Sequence, residues 1–300
     1  GGANVDETLG VTADASDNVY MTGYFSTSAQ VNGDVVLVNG LTDMFLSKVN
    51  AAGNTVWTVS AGGPGSDRGL GVAVDNAGNV FVCGFFSGTA DFGNGVSLSS
   101  AGGGQDAFIV KYNSAGQALW AKAGGGSAGA DRANAVAVDA NGNAVITGQF
   151  TGQANFGAYS LTSVNSTNDI FVVKYNSAGE EQWAKSGSGD ALNRGLAVAV
   201  DASGGVYAAG QFSGDITFDN TYTNNILNAL FLVKYDANGN EQWVRWAGGG
   251  NQSIAYDLTS DGSNVYMTGD CGSSLTFFGG ANNPQITAQY NHAVFVAGYS

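Results

Sequence analysis

The sequence has one histidine, two cysteines and two prolines, and each shortage closes off a class of chemistry. With His292 alone, no site built from several histidines is available. Cys83 and Cys271 form no C-x-x-C pair and fall at different positions of the repeat described below, so two buried thiols are expected rather than a disulfide or a zinc site. Charge is also sparse: 10 Lys and Arg stand against 24 Asp and Glu, for a net charge of −14. A chain of that sign lacks the basic surface that nucleic acid requires, and anionic membranes are disfavoured for the same reason. No run of 18 apolar residues is present, so no membrane insertion is expected. Nor does any segment show a helical period.

What the chain does have is glycine, 47 residues of it, among regular short apolar runs. Glycine without a G-X-Y period excludes collagen, and the apolar runs argue against disorder. Many short strands joined by glycine turns fit this composition. The chain opens on "GGANVDETLG", with no initiating Met or signal peptide, and reads as a mature, processed or excised part of an exported product.

Phe45, Phe108, Phe171, Phe231 and Phe295 lie 63, 63, 60 and 64 residues apart. Trp57, Trp120, Trp183 and Trp243 keep step with them, as do Gly23, Gly84, Gly148, Gly210 and Gly269. Such a period marks an array or a ring. One unit reads as four strands. "NAVAVDANG" (134–142) turns into "NAVITGQF" (143–150), a polar stretch leads to "DIFVVKYN" (169–176), and "SAGE" turns into "EQWAKS" (181–186). The prediction is an all-β fold, a β-propeller of five four-stranded blades forming one domain over residues 1–300. The blades fall at about 1–61, 62–124, 125–187, 188–248 and 249–300.

The first strand, with small alternate residues at Gly71/Ala73, Ala135/Ala137 and Ala197/Ala199, is expected innermost. Blade five is expected to place the bulkier Tyr256 and Leu258 there. It ends at "HAVFVAGYS" without a Trp-bearing outer strand, so either the natural chain continues beyond Ser300 or blade five keeps an open edge able to take a strand from another chain.

The pattern of "VAVDNAGNVFVCGFF" (72–86) followed by "DAFIVKYNSAG" (106–116) resembles the bacterial β-propeller repeat family abbreviated SBBP, over all five units. That resemblance implies a propeller on an exported or surface-attached bacterial protein, with no shared catalytic residues to carry over.

The reactive side chains mostly recur with the repeat. Lys48, Lys111, Lys174 and Lys234 share one position and are expected to pair with turn carboxylates along the rim. The Trp series suits packing on the neighbouring blade, with sugar stacking as the alternative. Trp246 breaks the series and is expected to be exposed. In "DANGN" (139–143) and "DANGNE" (236–241) the Gly comes too early for a calcium loop, so these are hairpins and neither a metal nor a cofactor is expected.

The loops joining strands two to three and four to one share one face. It carries Asp43, Asp106 and Asp169 and, 25 or 26 residues later, Arg68, Arg132 and Arg194. In blade four the Asp position is Ala229 and the following Arg position is Ser253, so both partners vanish together. This predicts blade-to-blade ion pairs Asp43–Arg68, Asp106–Arg132 and Asp169–Arg194. Candidate binding residues on the same face are Glu7, Asp67, Arg68, Asp131, Arg132, Arg194, Trp246 and Tyr256. A glycosidase would draw its carboxylates from Asp6, Glu7, Asp67, Asp131 and Asp190, where Glu7 stands out because its counterparts in blades two to four are Arg.

These features lead to the expectation of a non-enzymatic extracellular or cell-surface module, structural, assembling or adhesive. Its partner would be a protein or a second copy at the open edge of blade five. A glycan-binding propeller and a glycosidase are the alternatives. Sequons at Asn165 and Asn251 fall in predicted loops and are assigned no function.

Overall fold

Each D-x-x-G turn closes as its residue types dictate. Asp139 Oδ1 accepts the N–H groups of Asn141 and Asn143, both at 2.9 Å, and Gly142 takes the positive φ of 75° that completes the hairpin. The computed structural model describes residues 5–31, 34–127, 129–189, 191–219, 221–222, 228–248, 253–272, 274–278, 285–287 and 293–299. They form an all-β, five-bladed β-propeller, with one 3-10 turn (Val164–Ser166) and no α-helix among the described residues.

Blade one holds β1 (Asp6–Ala13), β2 (Val19–Phe25), β3 (Ala29–Val31), β4 (Asp34–Val36), β5 (Asp43–Val49) and β6 (Thr55–Ala61). Blade two holds β7 (Arg68–Val74), β8 (Val80–Ser87), β9 (Thr89–Asp91), β10 (Ser97–Ser99), β11 (Gln105–Tyr112) and β12 (Ala118–Gly125). Blade three holds β13 (Arg132–Val138), β14 (Ala144–Thr151), β15 (Gln153–Phe156), β16 (Tyr159–Thr162), β17 (Asn168–Tyr175) and β18 (Glu181–Gly189). Blade four holds β19 (Arg194–Val200), β20 (Val206–Phe212), β21 (Ile216–Thr217), β22 (Thr221–Tyr222), β23 (Ala229–Tyr235) and β24 (Glu241–Gly248). Blade five holds β25 (Ser253–Ser260), β26 (Val265–Cys271), β27 (Ser274–Phe278), β28 (Gln285–Thr287) and β29 (Ala293–Tyr299).

The four long strands of each blade pair antiparallel in chain order, as in β1-β2-β5-β6, while blade five has three, β25-β26-β29. The polar stretch between the second and third strands does more than connect them. In blades three, four and five it folds into a hairpin that joins the outer strand of the preceding blade. β15 pairs with β12 through Gly124↔Phe156, β21 with β18 through Gly189↔Ile216, and β27 with β24 through Ala247↔Phe277. The blade-two hairpin reaches blade one through the single bridge Gly62↔Asp91. A buried Phe anchors three of these hairpins on the repeated core Phe, with ring centroids 5.1 Å apart for Phe92–Phe108, 4.7 Å for Phe156–Phe171 and 5.4 Å for Phe218–Phe231.

The innermost strand of every blade carries a bulge, at Leu9, Leu70, Asn134, Leu196 and Tyr256. The repeated glycine fixes this register. A Cβ at Gly84 would strike the Arg68 carbonyl, and Gly23, Gly148, Gly210 and Gly269 meet the carbonyls of Glu7, Arg132, Arg194 and Ile254. Counted through the bulge, the counterparts of Gly71 and Ala73 in blade five are Asp257 and Thr259, which corrects the expected Tyr256 and Leu258. Leu258 instead aligns with Val72 and Val198 and is buried with them, while Tyr256 sits in the bulge.

Blades join through one repeated apolar quartet. Tyr20, Thr22, Met44 and Leu46 of blade one face blade two, and Phe81, Cys83, Ala107 and Ile109 of blade two face blade three; all eight are buried. Tyr207, Ala209, Leu230 and Leu232 face blade five in the same way. The fifth copy, Tyr266, Thr268, Val294 and Val296, lies open, with Val294 83% and Val296 69% exposed. At the other end, Val11 of blade one is 67% exposed, whereas its counterpart Val72 is buried against blade one. Inner strands pack β1 on β7, β7 on β13, β13 on β19 and β19 on β25, and no such packing joins β25 to β1 among the described residues.

Candidate functional site

The acidic and basic residues of the loop face are brought together differently from their spacing in the sequence. At each junction one backbone bond sets the register. The N–H of Asp67 donates to Thr42 O at 2.8 Å, Asp131 to Gln105 O at 2.8 Å, Asn193 to Asn168 O at 3.0 Å and Ser253 to Asn228 O at 2.8 Å. Each bond places the next residue of one blade, Asp43, Asp106, Asp169 or Ala229, beside the donor residue of the following blade. Asp43, Asp67, Asp106, Asp131, Asp169 and Asn193 are all buried as a result.

The expected ion pairs do not form. No contact within 4.0 Å links Asp43 to Arg68, Asp106 to Arg132 or Asp169 to Arg194; the salt bridges among the described residues are Lys122–Glu181, Lys185–Asp219 and Lys234–Asp201. The reason is strand alternation: Asp67 turns into the junction, so Arg68, one residue on, points to the opposite face. The joint loss in blade four has the same origin. Ser253 is the counterpart of Asp67, Asp131 and Asn193, and the true counterpart of the arginines is Ile254. The linked sequence is therefore Asp–Asp, Asp–Asp, Asp–Asn and Ala–Ser, not Asp–Arg.

The third junction shows what the first two require. Asn193 Oδ1 accepts the Ser213 N–H at 3.4 Å, and its Nδ2 donates to Asp169 Oδ1 at 3.2 Å. Asp67 is held alike, with Oδ1 accepting the Ser87 N–H at 3.2 Å and Oδ2 the Gly63 N–H at 2.8 Å. Asp131 Oδ1 accepts from Thr151 at 3.0 Å and its Oδ2 from Gly126 at 3.1 Å. Asp43 Oδ1 and Asp106 Oδ1, the counterparts of the Asp169 Oδ1 that accepts from Asn193, are buried without a hydrogen-bond partner. An ionised carboxylate at Asp67 or Asp131 has no hydrogen to donate there, and a protonated one has. Burial pushes Asp67 up to about 7 against the lowering effect of its Gly63 and Ser87 bonds, and Asp43 adds a smaller rise. Burial likewise pushes Asp131 up to about 7, with Asp106 adding to it. Asp43, Asp106 and Asp169 are also raised by burial. Asp67 and Asp131 are therefore junction residues and do not line the mouth of the channel.

Arg68, Arg132 and Arg194 open β7, β13 and β19. Arg68 Cζ lies 3.9 Å from the Tyr24 ring centroid, and Arg132 Cζ lies 4.6 Å from that of Phe85. Arg132 donates Nε and Nη2 to Gln105 Oε1 at 3.2 and 2.9 Å. Glu7 is exposed and hydrogen-bonded to Tyr24. Tyr256 is 55% exposed, with its hydroxyl 3.5 Å from Asp270 Oδ2.

The repeated tryptophans are packed. Trp57 Nε1 donates to Ser114 O at 3.0 Å, Trp120 Nε1 to Ser177 O at 3.3 Å and Trp183 Nε1 to Ala237 O at 3.2 Å. Their rings lie under Gly116, Gly179 and Gly239 of the next blade's outer turn, where a Cβ would come within 3.0 Å of the indole. Trp246, expected to be exposed, is half-buried against the blade-four core. Of the repeated lysines, only Lys234 meets a turn carboxylate, Asp201, at 3.7 Å. Lys111 and Lys174 donate instead to turn carbonyls, at 3.1 Å to Ser177 and 3.4 Å to Ala237. Cys83 and Cys271 are buried free thiols. Among the described residues no group of three or more His, Cys, Asp or Glu is placed to hold a metal ion. Asn165 is exposed; Asp190, Asn251 and His292 lie outside the described residues.

No family model matches the chain. It is 27% identical over 257 residues to the uncharacterised WD repeat-containing protein L264 of Acanthamoeba polyphaga mimivirus, covering 72% of this chain and 18% of that protein. It is 26% identical over 197 residues to the regulatory protein FlaEY of Caulobacter vibrioides, covering 59% of this chain and 20% of FlaEY. The chain spans about a fifth of the length of these curated relatives. A solved protein of unknown function from Bacteroides caccae aligns over 80% of this chain and 81% of its own, at a TM-score of 0.37 and 11% identity. Blade repeat and sequence comparison together give a β-propeller protein with distant WD-repeat-containing relatives.

Proposed function

We propose that this chain is a non-enzymatic structural module, exported or held at the cell surface, that assembles by docking blade five of one copy on blade one of the next. A single observation carries the reading. The quartet that is buried between neighbouring blades recurs uncovered on blade five as Tyr266, Thr268, Val294 and Val296, and its mate, the face bearing Val11, is uncovered on blade one. Two faces made from one repeated junction are complementary by construction, and exposed apolar faces of this kind associate. Among the described residues β29 pairs with β26 alone, and its other edge stands beside the same face.

Light scattering across a concentration series tests this. The expected result is a mass that rises with concentration and falls back to a monomer in Val294→Asp/Val296→Asp and in Val11→Asp. A protein that stays monomeric at every concentration would overturn the assembly reading. The glycan-binding alternative draws no support from Trp57, Trp120 and Trp183, whose rings are covered by the next blade.

A further inference from the structure

Arg68, Arg132 and Arg194 are three of the four arginines in a chain of net charge −14, and all three stand at the same strand-opening position of successive blades. They form one row. Arg68 lies between the Tyr24 and Phe85 rings, 3.9 and 5.8 Å from their centroids, and Arg132 lies over Phe85 from the other side. Arg132 and Arg194 continue opposite Gln149 and Gln211 in register.

None of the three forms a salt bridge among the described residues, and the nearest acids, Glu7 and Asp6 of blade one, act on Tyr24 at the Arg68 end of the row. Nε of Arg68 and of Arg194 has no hydrogen-bond partner, and the acceptor of Arg132 is the neutral amide of Gln105. The central arginine feels both neighbours: burial lowers its pKa, and the charges of Arg68 and Arg194 lower it further. Packing alone does not call for this arrangement. Blade five keeps the fold with Ile254 at the same position, and blade one with Glu7. Three planar forks of like charge, all half-buried and two of them on aromatic rings, suit oxyanions.

We propose that Arg68, Arg132 and Arg194 form a binding site for a multivalent oxyanion, a ligand carrying two or more carboxylate, sulfate or phosphate groups. Tyr24, Phe85 and Gln105 hold the forks of Arg68 and Arg132 in place, and the ligand supplies oxyanions to the row. This site is independent of the assembly faces on blades one and five.

Calorimetric titration of the whole chain at low ionic strength, with citrate, pyrophosphate, inorganic sulfate and acetate as probes, tests the proposal. A multivalent probe is expected to bind saturably and at least tenfold more tightly than acetate, and the stronger of citrate and pyrophosphate identifies the carboxylate or phosphate class. Arg132→Gln is expected to weaken binding at least tenfold. Arg132→Lys, which keeps the charge and loses the fork, should fall between. To guard against misfolded variants, arginine modification by phenylglyoxal is read by peptide mass in the native chain. The bound probe should protect Arg68, Arg132 and Arg194 and leave Arg245 unprotected. Absence of saturable binding by every probe, or equal modification of all four arginines with and without probe, would overturn the proposal.

Discussion

Asp43 and Asp67 meet carboxyl to carboxyl across the first blade junction, in the place where Asn193 donates its amide to Asp169 at the third. A Cβ added at Gly62 would lie 2.6 Å from Asp43 Oδ1 and 2.8 Å from Asp67 Oδ2, and at Gly125 the same distances hold for Asp106 Oδ1 and Asp131 Oδ2. A carboxyl buried beside a second one is held neutral more readily than an exposed aspartate, by lost solvation first and by the neighbouring charge second.

Stability should therefore fall as pH rises. The folded values of Asp67 and Asp131, about 7, lie above the unfolded value of about 4, so the folded state binds more protons between them. The stabilising contribution is complete below about pH 4 and is lost as pH passes through about 7, at up to about 1.4 kcal/mol per pH unit for each pair. Thermal melts from pH 5 to pH 8.5 should show a falling Tm. Asp67→Asn with Asp131→Asn should flatten that slope and raise Tm at pH 8.5. A slope unchanged by the double substitution would refute the shared proton.

The converse substitution tests the same geometry at the third junction. Asn193→Asp should be nearly neutral at pH 5 and should destabilise by about 1–3 kcal/mol at pH 8.5, the range for leaving a buried acceptor unsatisfied. Urea unfolding at the two pH values measures the difference.

The tryptophans should divide by whether a turn glycine of the following blade lies on the ring. Trp120→Ala removes a ring packed on Gly179 and should cost about 3–5 kcal/mol, while Trp120→Phe should cost about 1 kcal/mol for the lost bond to Ser177. Trp243 packs on Tyr207 and Tyr299 as Trp120 does on Phe81 and Tyr175, but no turn glycine lies on its ring among the described residues, so it should tolerate Ala better. Denaturant titrations of the three variants would show the order, and equal losses for Trp120→Ala and Trp243→Ala would contradict it.

Phe156→Ala should unfasten the hairpin that extends blade two. Its ring is fully buried and 4.7 Å from Phe171, so a loss of about 3–5 kcal/mol is expected. Hydrogen exchange should speed up at Gly124, Gly125, Asn155 and Phe156 before it does at the β13–β14 pair.

By itself the sequence determined the units. Alternation, the D-x-x-G turns and the step shared by Phe, Trp and Gly are local or periodic signals, and they were enough for four strands per unit, five blades and a fifth without its outer strand. They were also enough to place the tryptophans as repeated packing residues, while of the lysines expected on turn carboxylates Lys234 meets one and Lys111 and Lys174 meet turn carbonyls. What tertiary structure decided was every relation across a junction. The repeats are unequal in length, 64 residues from Arg68 to Arg132, 62 from Arg132 to Arg194 and 60 from Arg194 to Ile254, so Ser253 looked like an arginine position when it is an aspartate position. The linked losses at Ala229 and Ser253 were legible, but the chemistry they track was misread as Asp–Arg. Which of Asp67 and Arg68 turns inward depends on the strand register, because neighbouring residues on a strand face opposite sides. The β15–β12, β21–β18 and β27–β24 pairings were hidden for a related reason: their hydrogen-bond partners lie in another blade, and a short polar hairpin carries no apolar period to announce it. Periodicity reports what a residue does within its own blade, and only packing reports what the next blade brings to it.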